Sequence, residues 1–142
     1  MDARGRSDAV YRAAEYRVPL RDQGELVLRV DFKEASADRK LRGHCGVKTH
    51  WAILTPCNPG SQRLDEAANA RRLQQCEAAL ERRGLRHRPA HNHDPRGQWP
   101  DEPGFLLCDP PASVAEQLGR EFGQNAILAG MLGEAPRLVW LA

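Results

Sequence analysis

The sequence predicts an α+β fold, a mixed but largely antiparallel sheet carrying two main helices. Three observations lead there. Residues 50–55 hold an unbroken apolar centre, Trp51, Ala52, Ile53 and Leu54, which suits a strand covered on both faces. Asp65 and Gly84 then bracket a segment of helical length and period. Beyond it, strand-like and helical stretches alternate to residue 141. With 142 residues and 41% hydrophobic content, the chain suits one core, expected over residues 9–142, behind a charged tail at 1–8.

Residues 8–15 predict a short helix with Val10 or Tyr11 beside Ala14. Residues 16–20 alternate as an edge strand, a setting that tolerates Pro19. Asp22, Gln23 and Gly24 form a turn in this reading. Residues 25–32 return as a strand with Leu26, Leu28, Val30 and Phe32 on one face, closing an N-terminal hairpin. Residues 33–49 mix Lys33, Arg39, Lys40, Arg42 and Lys48 with Glu34 and Asp38, and are expected as a solvated loop with at most a helical turn.

The 50–55 strand stops at Pro56, and Asn58, Pro59, Gly60 and Ser61 turn the chain. Asp65 is the expected N-cap of a helix reaching Arg83, with Gly84 as its C′ residue. Residues 86–91 and 105–108 predict two strands around a polar loop at 92–101. Ser113 and Glu116 have capping-box spacing and open a helix ending near Gly123, with Val114, Leu118 and Phe122 on one stripe. Residues 126–132 and 136–141 supply two last strands. From residue 50 the order is strand, helix, strand, strand, helix, strand. That is the ferredoxin-like split βαβ order, here extended by the N-terminal hairpin and a C-terminal strand.

Composition narrows the function classes. Twenty-one basic residues against 19 acidic ones leave a net charge of +2, too weak to indicate nucleic-acid binding, which shows as a concentrated basic face. The longest apolar run, residues 126–132, falls far short of the roughly 20 residues a membrane-spanning helix needs. No signal peptide is read in the charged first residues, so Cys45, Cys57, Cys76 and Cys108 are expected as reduced thiols in a cytoplasmic protein. No GxSxG, Walker or GxGxxG motif occurs, and no cofactor is expected. Neither His91, His93 and Asp94 nor His44, Cys45, His50 and Cys57 has CxxC or HExxH spacing, so no metal site is expected. Cys57 sits between a strand and a helix but lacks an evident base, which favours a buried structural thiol. Trp51, Trp99 and Trp140 are too separated to suggest a base-stacking platform.

The helix phase supplies the candidate site. Asn69, Leu73, Cys76 and Leu80 share one stripe, with Arg72 beside it. Its lower half suits a sheet-facing surface, whereas an amide and a guanidinium in its upper half require partners. Asn58 and Ser61 arise from the adjoining strand-to-helix connection. Helix N-termini favour anions, and Arg72 adds to that. One alternative is that Asn58 and Ser61 only shape the turn while Arg72 pairs with a carboxylate such as Glu102. Gln124 and Asn125 follow the second helix, where amides commonly satisfy helix-end carbonyls.

Residues 51–61, with Asn69 and Arg72, then 94–106 and 120–127, resemble the bacterial family known as domain of unknown function 3293, or DUF3293. The resemblance spans about residues 10–141. It implies Thr-Ala-x-Asn-Pro-x-Ser after the strand, where Pro56 replaces the Ala and Gly60 takes the variable position. It also implies Glu-Pro-Ser-Phe, where Gly104 replaces the Ser, so any contact that Ser makes is missing from this chain. The resemblance supports the residue set without supplying a reaction.

The leading expectation is a protein that binds a polar or anionic small molecule, nucleotides included, at the sheet end beside the first long helix. Asn58, Ser61, Asn69, Arg72 and Gln124 are the candidate ligand contacts, and Glu102 is the candidate acid or base if it reaches the same cavity. Enzyme and binding protein both stay open. The alternatives are a nucleic-acid-binding module and a non-catalytic partner-binding or regulatory domain.

Overall fold

The computed structural model describes residues 8–21 and 24–141. Residues 1–7 of the expected tail and residues 22–23 of the expected turn lie outside them, while Asp8 already belongs to a helix. In chain order the elements are α1 (Asp8–Ala13), β1 (Glu15–Leu20), β2 (Gly24–Leu28), α2 (Ala37–Gly43), β3 (His50–Leu54), a 3-10 turn (Pro59–Ser61) and α3 (Glu66–Arg82). They continue with β4 (His87–His93), β5 (Glu102–Cys108), α4 (Val114–Glu121), β6 (Ala126–Met131) and β7 (Arg137–Trp140). The strands lie side by side as β2-β1-β4-β5-β3-β6-β7, and every neighbouring pair is antiparallel. The expected mixture of strand directions therefore gives way to antiparallel pairing throughout the described residues.

β3 lies inside this sheet, between β5 and β6, because each of its faces is apolar. Trp51 and Ile53 join one core with Leu106, Cys108 and Leu128, closed by the hairpin and α2. Ala52 and Leu54 join the other with Phe105, Leu107 and Ile127, closed by α3 and α4. Strand alternation alone produces this division. On the helical side Cys76 and Leu80 are fully buried, and Leu73 packs half-buried against them, as the stripe requires.

The ends of α3 follow local chemistry. Asp65 accepts from the Ala68 amide at 2.7 Å, a standard N-cap. At the other end, Gly84 takes a left-handed φ of +66° while its amide reaches the Glu81 carbonyl and that of Leu85 reaches Leu80. This is the Schellman pattern, which satisfies helix-end carbonyls and reverses the chain toward β4.

Several local expectations need correction. β1 is flanked by both β2 and β4 and is not an edge strand; Pro19 is tolerated because pairing with β4 covers only Glu15, Tyr16 and Arg17. The second strand ends at Leu28, since Asp31 turns the chain at a φ of +61° and leaves Phe32 53% exposed. Residues 33–49 contain the helix α2, whose Ala37 and Leu41 enter the core with Cys45 and Val47. Among the described residues there are four helices: the expected short α1, the unexpected α2, and α3 and α4. Ser113 adopts a φ of +70° and makes no side-chain cap, so the capping box does not form.

Among the described residues, no helix is long and apolar enough to cross a membrane.

Candidate functional site

At the end of β3 the backbone loses its ladder partners and side chains replace them. Thr55 donates its hydroxyl to the Pro103 carbonyl at 2.6 Å and accepts from the Cys57 amide at 3.1 Å. Asn58 then bends the chain with a left-handed φ of 50°, a conformation Asn adopts more readily than most residues. Its side-chain oxygen accepts from the Leu64 amide and from Asn69 Nδ2, both at 2.9 Å. Its backbone amide donates to Asn69 Oδ1 at 3.0 Å, so the two asparagines exchange a reciprocal pair. Asn58 Nδ2 donates to Glu102 Oε2 at 2.8 Å.

Arg72, one turn further along α3 than Asn69, faces the same loop from the other side. Its Nε donates to the Pro56 carbonyl at 2.6 Å and its Nη2 to the Phe122 carbonyl. The latter oxygen belongs to the C-terminal end of α4, where a cation is electrostatically favoured. Gln124 donates to the Cys57 carbonyl at 3.0 Å and to that of Phe122 at 3.3 Å. Ser61 joins through Asn125, whose Nδ2 donates to Ser61 Oγ at 3.1 Å.

The structure therefore gathers all six expected residues around residues 55–64, in three linked groups. Asn58, Asn69 and Glu102 form one network; Arg72 and Gln124 share the Phe122 carbonyl; Ser61 contacts Asn125 rather than Asn69. Arg72 donates to two backbone carbonyls instead of pairing with Glu102 as the alternative has it. These contacts clamp the loop between α3, the end of α4 and the start of β5.

A cleft of about 470 Å³ opens beside this clamp. Cys57, Asn58 and Asn69 contribute its polar lining, and Leu64, Ala70, Leu73 and Pro103 its apolar lining. Arg63, Glu66 and Asp101 add charge. Arg63 is held by the Gln98 carbonyl and lies 4.7 Å from the centroid of the Trp99 ring, a cation–π distance. Glu102 is 2% exposed and does not line the cleft; it borders two cavities of about 10 and 20 Å³, each the size of a single water. Ser61, Arg72 and Gln124 likewise lie outside the cleft lining.

Sequence reasoning missed Asp94, which shapes the loop beside the cleft. Its carboxylate accepts from the amides of Arg96, Gln98 and Trp99. Burial pushes this carboxyl up, but the three amides outweigh it and hold it below the usual aspartate range. Asp followed by Pro and Gly is the available signal, since Asp side chains commonly organise such turns. His93 pairs with Asp101 at 2.8 Å across the same loop.

All four cysteines are buried free thiols. Burial pushes Cys57 up, and Cys76 up to about 12, which keeps both protonated and poorly nucleophilic. A colorimetric thiol reagent should accordingly label none rapidly in the native protein and all four after unfolding. Fast labelling of Cys57 in the native state would contradict its structural role.

Gly104 has a definite reason to be Gly. A Cβ there would stand 2.2 Å from the Leu54 carbonyl oxygen and 2.8 Å from Thr55 Cα. Introducing a side chain, as in Gly104→Ser, should force β5 away from the end of β3 and cost about 1–3 kcal/mol in urea unfolding. An unchanged midpoint would show that the strands separate freely.

No curated protein and no solved structure matches the chain. A family model described as "Protein of unknown function (DUF3293)" matches residues 54–127, slightly more than half of the chain and all six clustered residues. The chain belongs to the DUF3293 family.

Proposed function

We propose that the cleft beside the first turns of α3 binds a small molecule bearing a polar or anionic group, nucleotides being one class to test. The observation carrying this reading is a cleft of about 470 Å³ against a fixed polar network, a size within the usual range for small-molecule sites. In this reading the network is mainly a scaffold. Asn69 and Arg72 are occupied by protein groups, whereas Leu64, Ala70 and Leu73 offer apolar contact and Arg63 offers charge. The central strand order β4-β5-β3-β6, connected by α3 and α4, supports assigning this part to the ferredoxin-like split βαβ class. A cytoplasmic setting with reduced cysteines belongs to the same proposal.

A thermal-shift panel of nucleotides and phosphorylated metabolites tests it, run on the wild type and on Ala70→Trp. Ala70 is exposed and lines the cleft, so the larger ring blocks the space with little effect on the core. At a hundredfold excess over its dissociation constant, a ligand adds about 2.7 kcal/mol to the native state. At least one compound should raise the wild-type melting temperature and leave Ala70→Trp unmoved. No shift across the panel, or equal shifts in both proteins, would overturn the assignment.

A further inference from the structure

We propose that Glu77, Glu81 and His87 form a site for a divalent transition-metal ion of the zinc type. The three residues come from the end of α3 and the start of β4. Glu77 and Glu81 are four apart and project from neighbouring positions on one helical face. The reversal at Gly84 brings the chain back so that the first residue of β4, His87, meets them.

Their potential ligand atoms all lie within 4.8 Å of one another. Zinc takes His nitrogen and carboxylate oxygen at about 2.0–2.2 Å, so small rotations of two exposed glutamates suffice to close the site. His87 is already prepared for coordination. Its Nδ1 lies 2.9 Å from the Leu85 carbonyl, which assigns the proton to Nδ1 and leaves the Nε2 lone pair available. Nε2 lies 3.7 Å from Glu77 Oε2. Metal-bound histidines characteristically donate their other ring N–H to a carbonyl or carboxylate in this way. An edge-to-face contact with Phe105, centroids 5.5 Å apart, further fixes the imidazole plane.

Charge supports the same reading. Among the described residues, neither Glu77 nor Glu81 forms a salt bridge with Lys or Arg; nearby Arg83 pairs with Glu121 instead. Two like charges four apart repel on a helix, and a divalent ion turns that repulsion into attraction. The imidazole directs the preference toward zinc and away from magnesium or calcium. Glu77 is 51% exposed, so water completes the coordination and the ion enters directly from solvent. The bound ion fastens the end of α3 to β4.

Calorimetric titration of the full chain with zinc, in the presence of a non-chelating reductant, tests the proposal. One ion should bind per chain in the micromolar range. Glu77→Gln with Glu81→Gln should weaken binding by at least roughly tenfold, comparable to or beyond typical losses at metal sites. These exposed substitutions should leave the zinc-free melting temperature no lower than that of the wild type, separating ligand loss from misfolding. Wild-type protein that binds no zinc at micromolar concentration would overturn the proposal, as would a double variant that binds as tightly.

Discussion

Replacing Arg72 by Ala is expected to lower the unfolding free energy by about 2–4 kcal/mol at neutral pH, read from urea denaturation. The guanidinium joins the Pro56 carbonyl to that of Phe122, tying the loop after β3 to the end of α4. Truncation leaves both oxygens without this donor and removes the cation from a helix C-terminus. Arg72→Lys should recover only part of the loss, because one ammonium cannot reproduce the planar fork. A loss below about 0.5 kcal/mol would place Arg72 outside the structural clamp, since that is the range of ordinary surface changes.

A comparable loss is expected at the opposite end of β3. Asp109 has a left-handed φ of 52° and gathers the start of that strand around its carboxylate. It accepts from the amides of Lys48 at 2.9 Å, Thr49 at 2.7 Å and His50 at 3.1 Å, and from Arg86 at 2.6 Å. Burial pushes the carboxyl up, but the amides and the Thr49 hydroxyl outweigh it and hold the group well below the usual range. The folded form therefore binds its proton less readily than the unfolded chain. Its stabilisation is complete above the unfolded aspartate value, about 3.9, and is lost as pH falls below it. Asp109→Asn should cost about 2–4 kcal/mol at pH 7. Between pH 5 and about 3 its stability should fall less steeply than that of the wild type. The remaining slope reflects groups such as Asp94, which is lowered as well. Parallel pH curves would remove Asp109 from that role.

What was legible in the sequence shares a feature: the signal lay in consecutive or helically spaced residues. Trp51 to Leu54 announce a strand buried on both faces, and Asp65 and Gly84 mark where α3 begins and ends. The same phase sets Asn69 and Arg72 over the sheet end, where the polar cluster forms. The short helix α2 escaped because only Ala37 and Leu41 are apolar in its seven residues, too few to set a period against its charges. Ser113 matched a pattern of residue types whose geometry its backbone does not provide. The cleft was invisible for another reason. Its lining comes from residues 57–73 and 100–103, which approach only once β3 and β5 have paired. The helical repeat sets Glu77 beside Glu81, but only the reversal at Gly84 adds His87, so the three match no recognised motif spacing.

A crystallographic fragment screen tests the central claim most directly, because it works before any ligand has been identified. Polar aromatic fragments soaked into crystals of the full chain should collect in the cleft against Leu64, Ala70, Leu73 and Pro103. Their polar groups should point toward Asn58 and Asn69 or toward Arg63, while the Arg72 contacts to Pro56 and Phe122 persist. Fragments that leave this cleft empty and fill the separate groove of about 410 Å³ bordered by His50, Ser113 and Arg137 would contradict the account.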